Sequence, residues 1–208
     1  MKISKHVHSC LLVEEHNKTI LLDPGNYSYD SHALDISRLI QLDVIGITHE
    51  HQDHMHLPFI KEIVAKFPNV EIITTESVVQ ILAKENIAAS ANGNDFVRLQ
   101  SVPHEKIWMG NPVENVMITL FEKLASPGDS FAIDSSPEIL ALPLQGPWGS
   151  MMQAVDTTLR VKPKVVIPIH DFHLKDEFRQ QYYLRLKDYF SQYNIDFKPV
   201  ETGDIIEV

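Results

Sequence analysis

Apolar positions along the chain follow two different periods, and this pattern predicts strands interleaved with helices. Residues 8–15 and 18–23 read as two strands joined by a polar turn. Further apolar runs of strand length follow at 44–47, 70–74, 96–99, 115–121, 139–142 and 164–169, and short strands are expected to close the chain.

Helical spacing separates several of these runs. Between Pro58 and Pro68, apolar residues recur every three or four positions, which predicts a helix. Two more helices are predicted at 76–86 and 150–159, the second opened by a capping box. The apolar face of a fourth, longer helix is predicted to consist of Phe178, Tyr182, Leu186 and Phe190. This alternation indicates an α/β or α+β fold with helices packed on sheets, in a single domain over residues 1–208.

The densest polar feature directly follows the apolar run at 44–47. The sequence there is Thr48-His49-Glu50-His51-Gln52-Asp53-His54, with three imidazoles and two carboxylates within six residues. Imidazole is the commonest metal ligand among side chains, and carboxylates beside it indicate zinc, iron or manganese. His49 and His51 share a side only on an extended backbone, so the cluster is predicted to lie where a strand passes into a loop.

Other polar groups also follow predicted strands, and they are candidates for the remaining ligands. Asp23, His104, Asp129 and His170 each come just after an apolar run. Loops at one end of a rigid sheet are where binding sites are usually built. Taken singly, His104 is an ordinary loop histidine and Asp129 an ordinary turn residue, whereas His170 at the end of a strongly apolar strand is a better ligand. His8 either faces such a site or packs in the core.

Composition and charge restrict the class of partner. The formal net charge is −10 and no cluster of lysine and arginine stands out, which disfavours nucleic acid because duplex binding depends on phosphate neutralisation. Cys10 is the only cysteine, so no disulfide can form within the chain. No apolar run reaches the ~18 residues of a transmembrane helix, and the N-terminal residues lack the apolar segment of a signal peptide. We therefore expect a cytoplasmic protein with no membrane association.

Four motifs in order along the chain resemble those of the metallo-β-lactamase superfamily. The histidine cluster is similar to the His-x-His-x-Asp-His signature of that superfamily. The two opening strands with Leu22-Asp23-Pro24-Gly25 resemble the first hairpin of its small hydrolases, Gly128-Asp129-Ser130 its Gly-Asp-Ser/Thr motif, and Ile167-Pro168-Ile169-His170 its terminal histidine motif. The resemblance is greatest to the small bacterial branch that includes ascorbate-6-phosphate lactonase-like proteins. One departure is Ser126, where that branch often has histidine.

This resemblance implies an α+β fold, a four-layer αββα sandwich with two divalent metal ions at one edge of the paired sheets. Zinc is the expected metal, with manganese or iron as alternatives. The ligands implied for the first ion are His49, His51 and His104, those for the second are Asp53, His54 and His170, and the residue implied to bridge both is Asp129. Asp23 is then expected to support these ligands from behind.

Two ions that share a water lower its pKa and polarise a substrate oxygen. The implied function is hydrolysis of an ester, lactone or phosphodiester bond of a small soluble substrate by a metal-bridging hydroxide. Asp53 is the expected catalytic residue, which orients the water or takes up its proton. Histidine at position 51 also separates the chain from the oxygen-reducing diiron branch, which carries glutamate there.

Loops of the core are expected to recognise the substrate, because the chain is too short for a separate binding domain. These loops are predicted at 25–31 and 144–150. Trp148 is either a wall of the pocket or a residue packed beneath its loop, and His173 is a further pocket candidate.

Two other functions stay open on the sequence alone. One is a metal-binding sensor or scaffold that kept the site without catalysis, and the other is a nucleic-acid phosphodiesterase. The sequence also leaves open the substrate, the physiological metal, and whether the chain forms a homo-oligomer.

Overall fold

The computed structural model describes residues 1–108 and 113–208. Two six-stranded sheets form its centre and share an apolar core. In hydrogen-bonded order, the first sheet contains β12 (Ile205–Glu207), β1 (Lys2–Lys5), β2 (Leu11–Glu15), β3 (Lys18–Leu22), β4 (Val44–Gly46) and β5 (Glu71–Ile73). The second contains β11 (Asp196–Phe197), β10 (Val165–Ile169), β9 (Ile139–Pro143), β8 (Leu124–Ser126), β7 (Val116–Leu120) and β6 (Val97–Ser101).

The central strands are apolar on both faces, and this determines the layering. Ile20 and Leu22 of β3 share a core with Ile139 and Ala141 of β9, whereas Leu21 belongs to a separate core on the other face of its sheet. Successive side chains of a strand point to opposite faces, so such strands need a cover on both sides. The inner faces of the two sheets cover each other, and helices cover the outer faces.

Each sheet carries its own helical layer. The helices over the first sheet are α2 (Leu57–Lys66) and α3 (Glu76–Ala83), and those over the second are α4 (Met151–Val161) and α5 (Asp176–Ser191). A short helix, α1 (Asn26–Asp30), follows β3. The capping box predicted at the start of α4 is present, with Ser150 and Gln153 bonded to each other's backbone N–H. The predicted αββα sandwich is therefore confirmed.

Two strands and part of one helix face differ from the apolar pattern. The pattern does not predict β1, which has one strongly apolar residue, Ile3, but is buried because it pairs with β12 on one side and β2 on the other. It also does not predict the three-residue β8. In α5, Tyr183 is buried beside Leu186 and Phe190, whereas Phe178 is 50% exposed, so the predicted face is wrong at its N-terminal end.

Strand direction brings the loops of both sheets to one edge. In the first sheet β3, β4 and β5 are parallel, and β2 runs the opposite way. In the second sheet β8, β9 and β10 are parallel, and β6 shares their direction because it is antiparallel to β7, which is antiparallel to β8. The segments after β3, β4, β6, β8 and β10 and the segment before β2 therefore lead to the polar residues considered next.

None of the helices that the structure describes is both long enough and apolar enough to cross a membrane.

Candidate metal centre

The histidine cluster begins where β4 ends, and its backbone passes from extended to turned within a few residues. Residues 47–49 continue the strand without regular pairing, and a turn then follows at 52–54. The turn is closed by the backbone N–H groups of His54 and Met55, which both donate to the carbonyl of His51 at 2.9 and 2.8 Å. The predicted change from strand to loop is therefore present, and it lets neighbouring residues face two different positions.

One group of candidate ligands combines His49, His51, His104 and Asp129, whose donor atoms all lie within 4.8 Å of one another. Nε2 of His49 lies 3.1 Å from Nδ1 of His51. Oδ2 of Asp129 lies 3.4 Å from Nε2 of His104 and 3.7 Å from Nε2 of His49. Three imidazole nitrogens and one carboxylate oxygen at these distances from one another form a donor set that suits zinc.

A second group lies beside the first and consists of His8, Asp53, His54 and His170. Oδ1 of Asp129 lies 3.0 Å from Nε2 of His54 and 3.4 Å from Nε2 of His170. Because its Oδ2 faces the first group, the two oxygens of Asp129 face both groups. Oδ2 of Asp53 lies 3.5 Å from Nε2 of His170. All seven residues predicted as ligands are thus brought together at one sheet edge.

His8 is a member of the second group that the sequence did not assign. It is 1% exposed, its Nε2 lies 3.2 Å from Oδ2 of Asp53, and its ring centroid is 3.9 Å from that of His170. It precedes β2, which runs antiparallel to β3, so it reaches the same edge as the loop after β3. The position of His8 ahead of that strand is the only signal in the sequence, and it does not distinguish a site residue from a core residue.

The hydrogen bonds of the imidazoles test whether this donor set fits a cation. Nδ1 of His104 contacts the carbonyl of Glu105 at 2.6 Å, and Nδ1 of His170 contacts the carbonyl of Gln145. A carbonyl only accepts, so each Nδ1 donates, and in the neutral ring Nε2 keeps its lone pair. Among the described residues, Nε2 of His54, His104 and His170 and Oδ1 of Asp129 are buried and form no hydrogen bond of acceptable geometry, although Oδ1 of Asp129 lies 3.0 and 3.4 Å from Nε2 of His54 and His170. Unpaired buried polar atoms are costly, and a bound cation would satisfy all four.

The pKa values of two histidines in the centre also indicate that the site fits a cation. Burial opposes charge on His54, but Asp129, Asp23 and Asp53 outweigh it and hold the pKa of this imidazole well above its ordinary value. Burial also opposes charge on His170, where Asp129 and Asp53 raise the pKa to about 9. These protons supply the positive charge that the buried carboxylates require, and divalent cations would replace them.

Three other histidines of the two groups behave differently, because burial outweighs the effect of the neighbouring carboxylates. Burial lowers the pKa of His49 well below its ordinary value, and it also lowers that of His51. Burial lowers the pKa of His8 to about 4, although Asp53 opposes this shift. Neutral imidazole is the form that binds metal, so these rings are already in the form a metal requires.

Asp23 lies behind the ligands, fully buried at the end of β3. Its Oδ2 accepts a hydrogen bond from Nδ1 of His54 at 2.9 Å, and its two oxygens accept from the backbone N–H of Thr48 at 2.8 Å and its hydroxyl at 3.0 Å. Such contacts fix the tautomer and orientation of an imidazole, with Nε2 turned toward the metal.

A pocket of about 340 Å³ opens over the two groups. Trp148 lines this pocket. It is also only 8% exposed, and its ring packs on that of Phe131 with 5.5 Å between centroids. Trp148 is therefore both a wall of the pocket and a residue packed beneath its loop. His173 lines it too, and its Nε2 lies 3.1 Å from the hydroxyl of Tyr27. The segments predicted as loops at 25–31 and 144–150 supply Asn26, Tyr27, Pro147 and Trp148 to this lining, but the first prediction is wrong in conformation because residues 26–30 form α1.

An αββα sandwich with a carboxylate between two histidine-rich groups at one sheet edge defines a protein of the metallo-β-lactamase fold. The family model of the β-lactamase superfamily domain matches residues 2–170, so this chain belongs to that family. The superfamily resemblance seen in the sequence is thereby confirmed.

Curated relatives match along most of the chain or within one short part of it. Identity to protein Rv0786c of Mycobacterium tuberculosis is 28% over 201 residues, which is 90% of this chain and 92% of that protein. A UPF0173 protein of Pyrococcus abyssi is 25% identical over 183 residues, covering 82% and 83% of the two chains. A UPF0173 metal-dependent hydrolase of Geobacillus thermodenitrificans is 47% identical over 58 residues, or 26% of this chain and 24% of that protein.

Solved structures show the same fold at low identity. A protein of Parabacteroides distasonis superimposes with a TM-score of 0.72 at 22% identity, covering 97% of this chain and 93% of its own. Igni18, a metallo hydrolase of Ignicoccus hospitalis, superimposes with a TM-score of 0.70 at 19% identity, covering 100% and 98%.

Proposed function

We propose that this protein is a metal-dependent hydrolase that holds two divalent cations, most suitably zinc, in the two neighbouring ligand groups. The observation that carries this proposal is the position of Asp129, whose two carboxylate oxygens face different groups within 3.0–3.7 Å of their imidazole nitrogens. The relatives named as metal-dependent or metallo hydrolases support the same class.

The ligand assignment follows the two groups. His49, His51 and His104 would hold one cation, and Asp53, His54 and His170 the other, with Asp129 between them. His8 is an additional donor on the side of the second group. When bound, two such cations lower the pKa of water toward neutrality and polarise the oxygen of the bond to be cleaved.

Asp53 is the residue of the chain best placed for proton transfer. Burial raises the pKa of its carboxyl, but His54, His170 and His8 outweigh this and keep the pKa below its ordinary value, so the group is ionised and suited to bind a cation and to orient water. Its side chain is 24% exposed, against 2% for Asp129, so one face is open to the pocket. We assign Asp53 to orient the attacking water and to accept its proton.

The substrate is a small molecule with an ester, lactone or phosphodiester bond, since each develops negative charge on an oxygen during hydrolysis. The pocket of about 340 Å³ lies in the range of small-molecule sites. A nucleic-acid substrate is disfavoured by the net charge of −10.

Metal content and turnover measured on the same preparations test the proposal. Protein purified without chelator is expected to contain about two equivalents of zinc by elemental analysis and to hydrolyse a generic ester or phosphodiester. Asp129→Asn should lose most of both, and His51→Asn should lose one equivalent and the turnover. His16→Asn, an exchange of an exposed histidine, is the matched control and should change neither.

Three results would contradict the proposal. Full activity in metal-free protein would exclude metal-dependent hydrolysis. Complete metal loading with no turnover of esters, lactones or phosphodiesters would indicate a sensor or scaffold. A salt-sensitive gel shift with RNA or single-stranded DNA would indicate a nucleic-acid phosphodiesterase.

A further inference from the structure

The lining of the pocket over the metal centre combines apolar walls with histidines and carboxylates, and its described residues include neither lysine nor arginine. Ile107, Pro147 and Trp148 supply apolar surface from the segments after β6 and β9. Tyr27 adds an aromatic ring from α1, stacked on Phe172 with 4.2 Å between centroids. No lysine or arginine is among the described residues that line the pocket. The four residues outside the described ranges, Met109-Gly110-Asn111-Pro112, carry no charged side chain either.

This lining distinguishes charged from uncharged substrates. Sites that bind phosphate or carboxylate groups normally provide arginine or lysine for them, because an anion that leaves water needs a charge-assisted partner. Here the proposed cations would occupy His51, His170, Asp53 and Asp129, so a second anionic group, away from the bond to be cleaved, would mostly face the apolar side chains of the lining. Without lysine or arginine, its lost hydration would be replaced only in part.

The polar groups left in the lining suit a neutral oxygen. The hydroxyl of Tyr27 and Nε2 of His173 are in hydrogen-bond contact at 3.1 Å, and both residues line the pocket. If His173 donates to the hydroxyl oxygen, the hydroxyl proton is free to donate to an ester or lactone oxygen. Tyr27 therefore offers both an aromatic surface and one hydrogen-bond donor.

We propose that the substrate is an uncharged carboxylic ester or lactone with an apolar or aromatic group, which packs on Trp148 and Ile107 while Tyr27 donates a hydrogen bond to one of its neutral oxygens. This inference rests on the proposed hydrolase function and narrows its substrate class. In the reaction, the oxygen of water forms a bond to the acyl carbon and the acyl carbon–alkoxy oxygen bond breaks. One proton of the water ends on the alkoxy oxygen, and the other is released with the carboxylate product.

Two esters with the same reacting bond test the charge preference. 4-Nitrophenyl hexanoate is neutral, and the mono-4-nitrophenyl ester of adipic acid replaces its terminal methyl group with a carboxylate. With zinc-loaded protein, kcat/KM for the neutral ester is expected to exceed that for the anionic ester by about tenfold or more. Equal values, or a preference for the anionic ester, would overturn the proposal.

A variant that adds a lysine to the pocket lining provides a second test of the charge preference. Gln52 lines the pocket with an exposed side chain, so Gln52→Lys adds a positive charge there at little structural cost. This variant is expected to raise the ratio of kcat/KM for the anionic ester to kcat/KM for the neutral ester several-fold. Gln192→Lys, at the exposed C-terminal end of α5, makes the same change in net charge and should affect neither ester. An equal effect of the two lysines would mean that net charge causes the preference, and it would contradict the role proposed for the pocket lining.

A binding measurement separates this inference from the proposed function. Hexanamide has the acyl group of the neutral ester and resists hydrolysis, and its binding to zinc-loaded protein can be measured by calorimetry. Trp148→Phe, which keeps an aromatic ring, should weaken binding several-fold and Tyr27→Leu should weaken it further, whereas Phe178→Ala on exposed α5 should not. If this pattern of binding is found but no ester is hydrolysed, the proposed hydrolase function is refuted and the proposed class of bound molecule is supported. If phosphodiesters are hydrolysed and hexanamide does not bind, the proposed hydrolase function is supported and the proposed uncharged, apolar substrate class is refuted.

Discussion

The carboxylate of Asp23 accepts a hydrogen bond from Nδ1 of His54 at 2.9 Å, and both side chains are fully buried. This contact connects the end of β3 to the turn after β4 and holds Nε2 of His54 toward Asp129, 3.0 Å away. The bond is local in space but joins residues 31 positions apart.

The first prediction follows from this contact. Asp23→Asn keeps the shape of the side chain but removes its charge, and asparagine tolerates the positive φ of 45° at this position. We expect zinc affinity to fall by about 10- to 100-fold, as for other residues that orient metal-binding histidines. Competition with a chromophoric chelator measures the change. Asp35→Asn, at the exposed residue that precedes the short 3-10 helix Ile36–Arg38, is the control, and equal affinities for the two variants would contradict the role of Asp23.

The second prediction concerns Gly25, which packs against the backbone of a candidate ligand. A Cβ at this position would lie 1.8 Å from the carbonyl oxygen of Asp53, so Gly25→Ala must displace that segment. We expect the second group to lose its zinc, so that elemental analysis finds about one equivalent in the variant. We also expect turnover to be lost. Gly203→Ala meets no atom within 4 Å despite a φ of 86°, so it should cost about 1 kcal/mol of strain and keep the metal. Full metal content in Gly25→Ala would refute the prediction.

The third prediction concerns a buried ion pair behind His170. Nζ of Lys5 lies 2.5 Å from Asp171 and donates to the carbonyl of Pro168 at 3.0 Å, so it holds the chain on both sides of His170. Both charged side chains are 4% exposed. Lys5→Met leaves the Asp171 carboxylate without its cation and should lower the free energy of unfolding by about 3–5 kcal/mol.

Denaturant unfolding of two lysine variants tests this third prediction. Lys18 also pairs with an aspartate, Asp43, at 2.9 Å, but its side chain is 43% exposed. Lys18→Met should therefore lower the free energy of unfolding by less than about 1 kcal/mol. Similar decreases in the free energy of unfolding of both variants would show that burial does not strengthen the contribution of the Lys5 pair to stability.

The fourth prediction is thermal stabilisation by the metal. A ligand that binds only the folded state at 100 times its dissociation constant stabilises it by about 2.7 kcal/mol. For a chain of this size, one such ion should raise Tm by roughly 5–10 °C relative to protein stripped with chelator. Magnesium prefers oxygen ligands and should raise it much less. Scanning calorimetry of wild type and Asp129→Asn checks this, because the variant should lose most of the zinc-dependent rise.

Much of the centre could be predicted because its chemistry is concentrated in one segment. Four of the seven predicted ligands lie between His49 and His54, and their spacing reports the local backbone directly. The other three follow apolar runs, and parallel strands bring such positions to one edge of a sheet. The residues Tyr27 and His173 show the limit of this reasoning, because their contact joins positions 146 apart.

The amino-acid sequence alone predicts the strands and helices with a clear apolar periodicity, the metal-binding chemistry and the superfamily. These properties depend on neighbours along the chain, where periodicity and spacing are visible. Three further features are visible only in the folded chain: β1 is a buried strand, His8 joins the second ligand group, and the described residues of the pocket lining include apolar and aromatic side chains but no lysine or arginine. Each of these depends on the pairing and packing of distant segments, which the strand order and direction set and which no local pattern records.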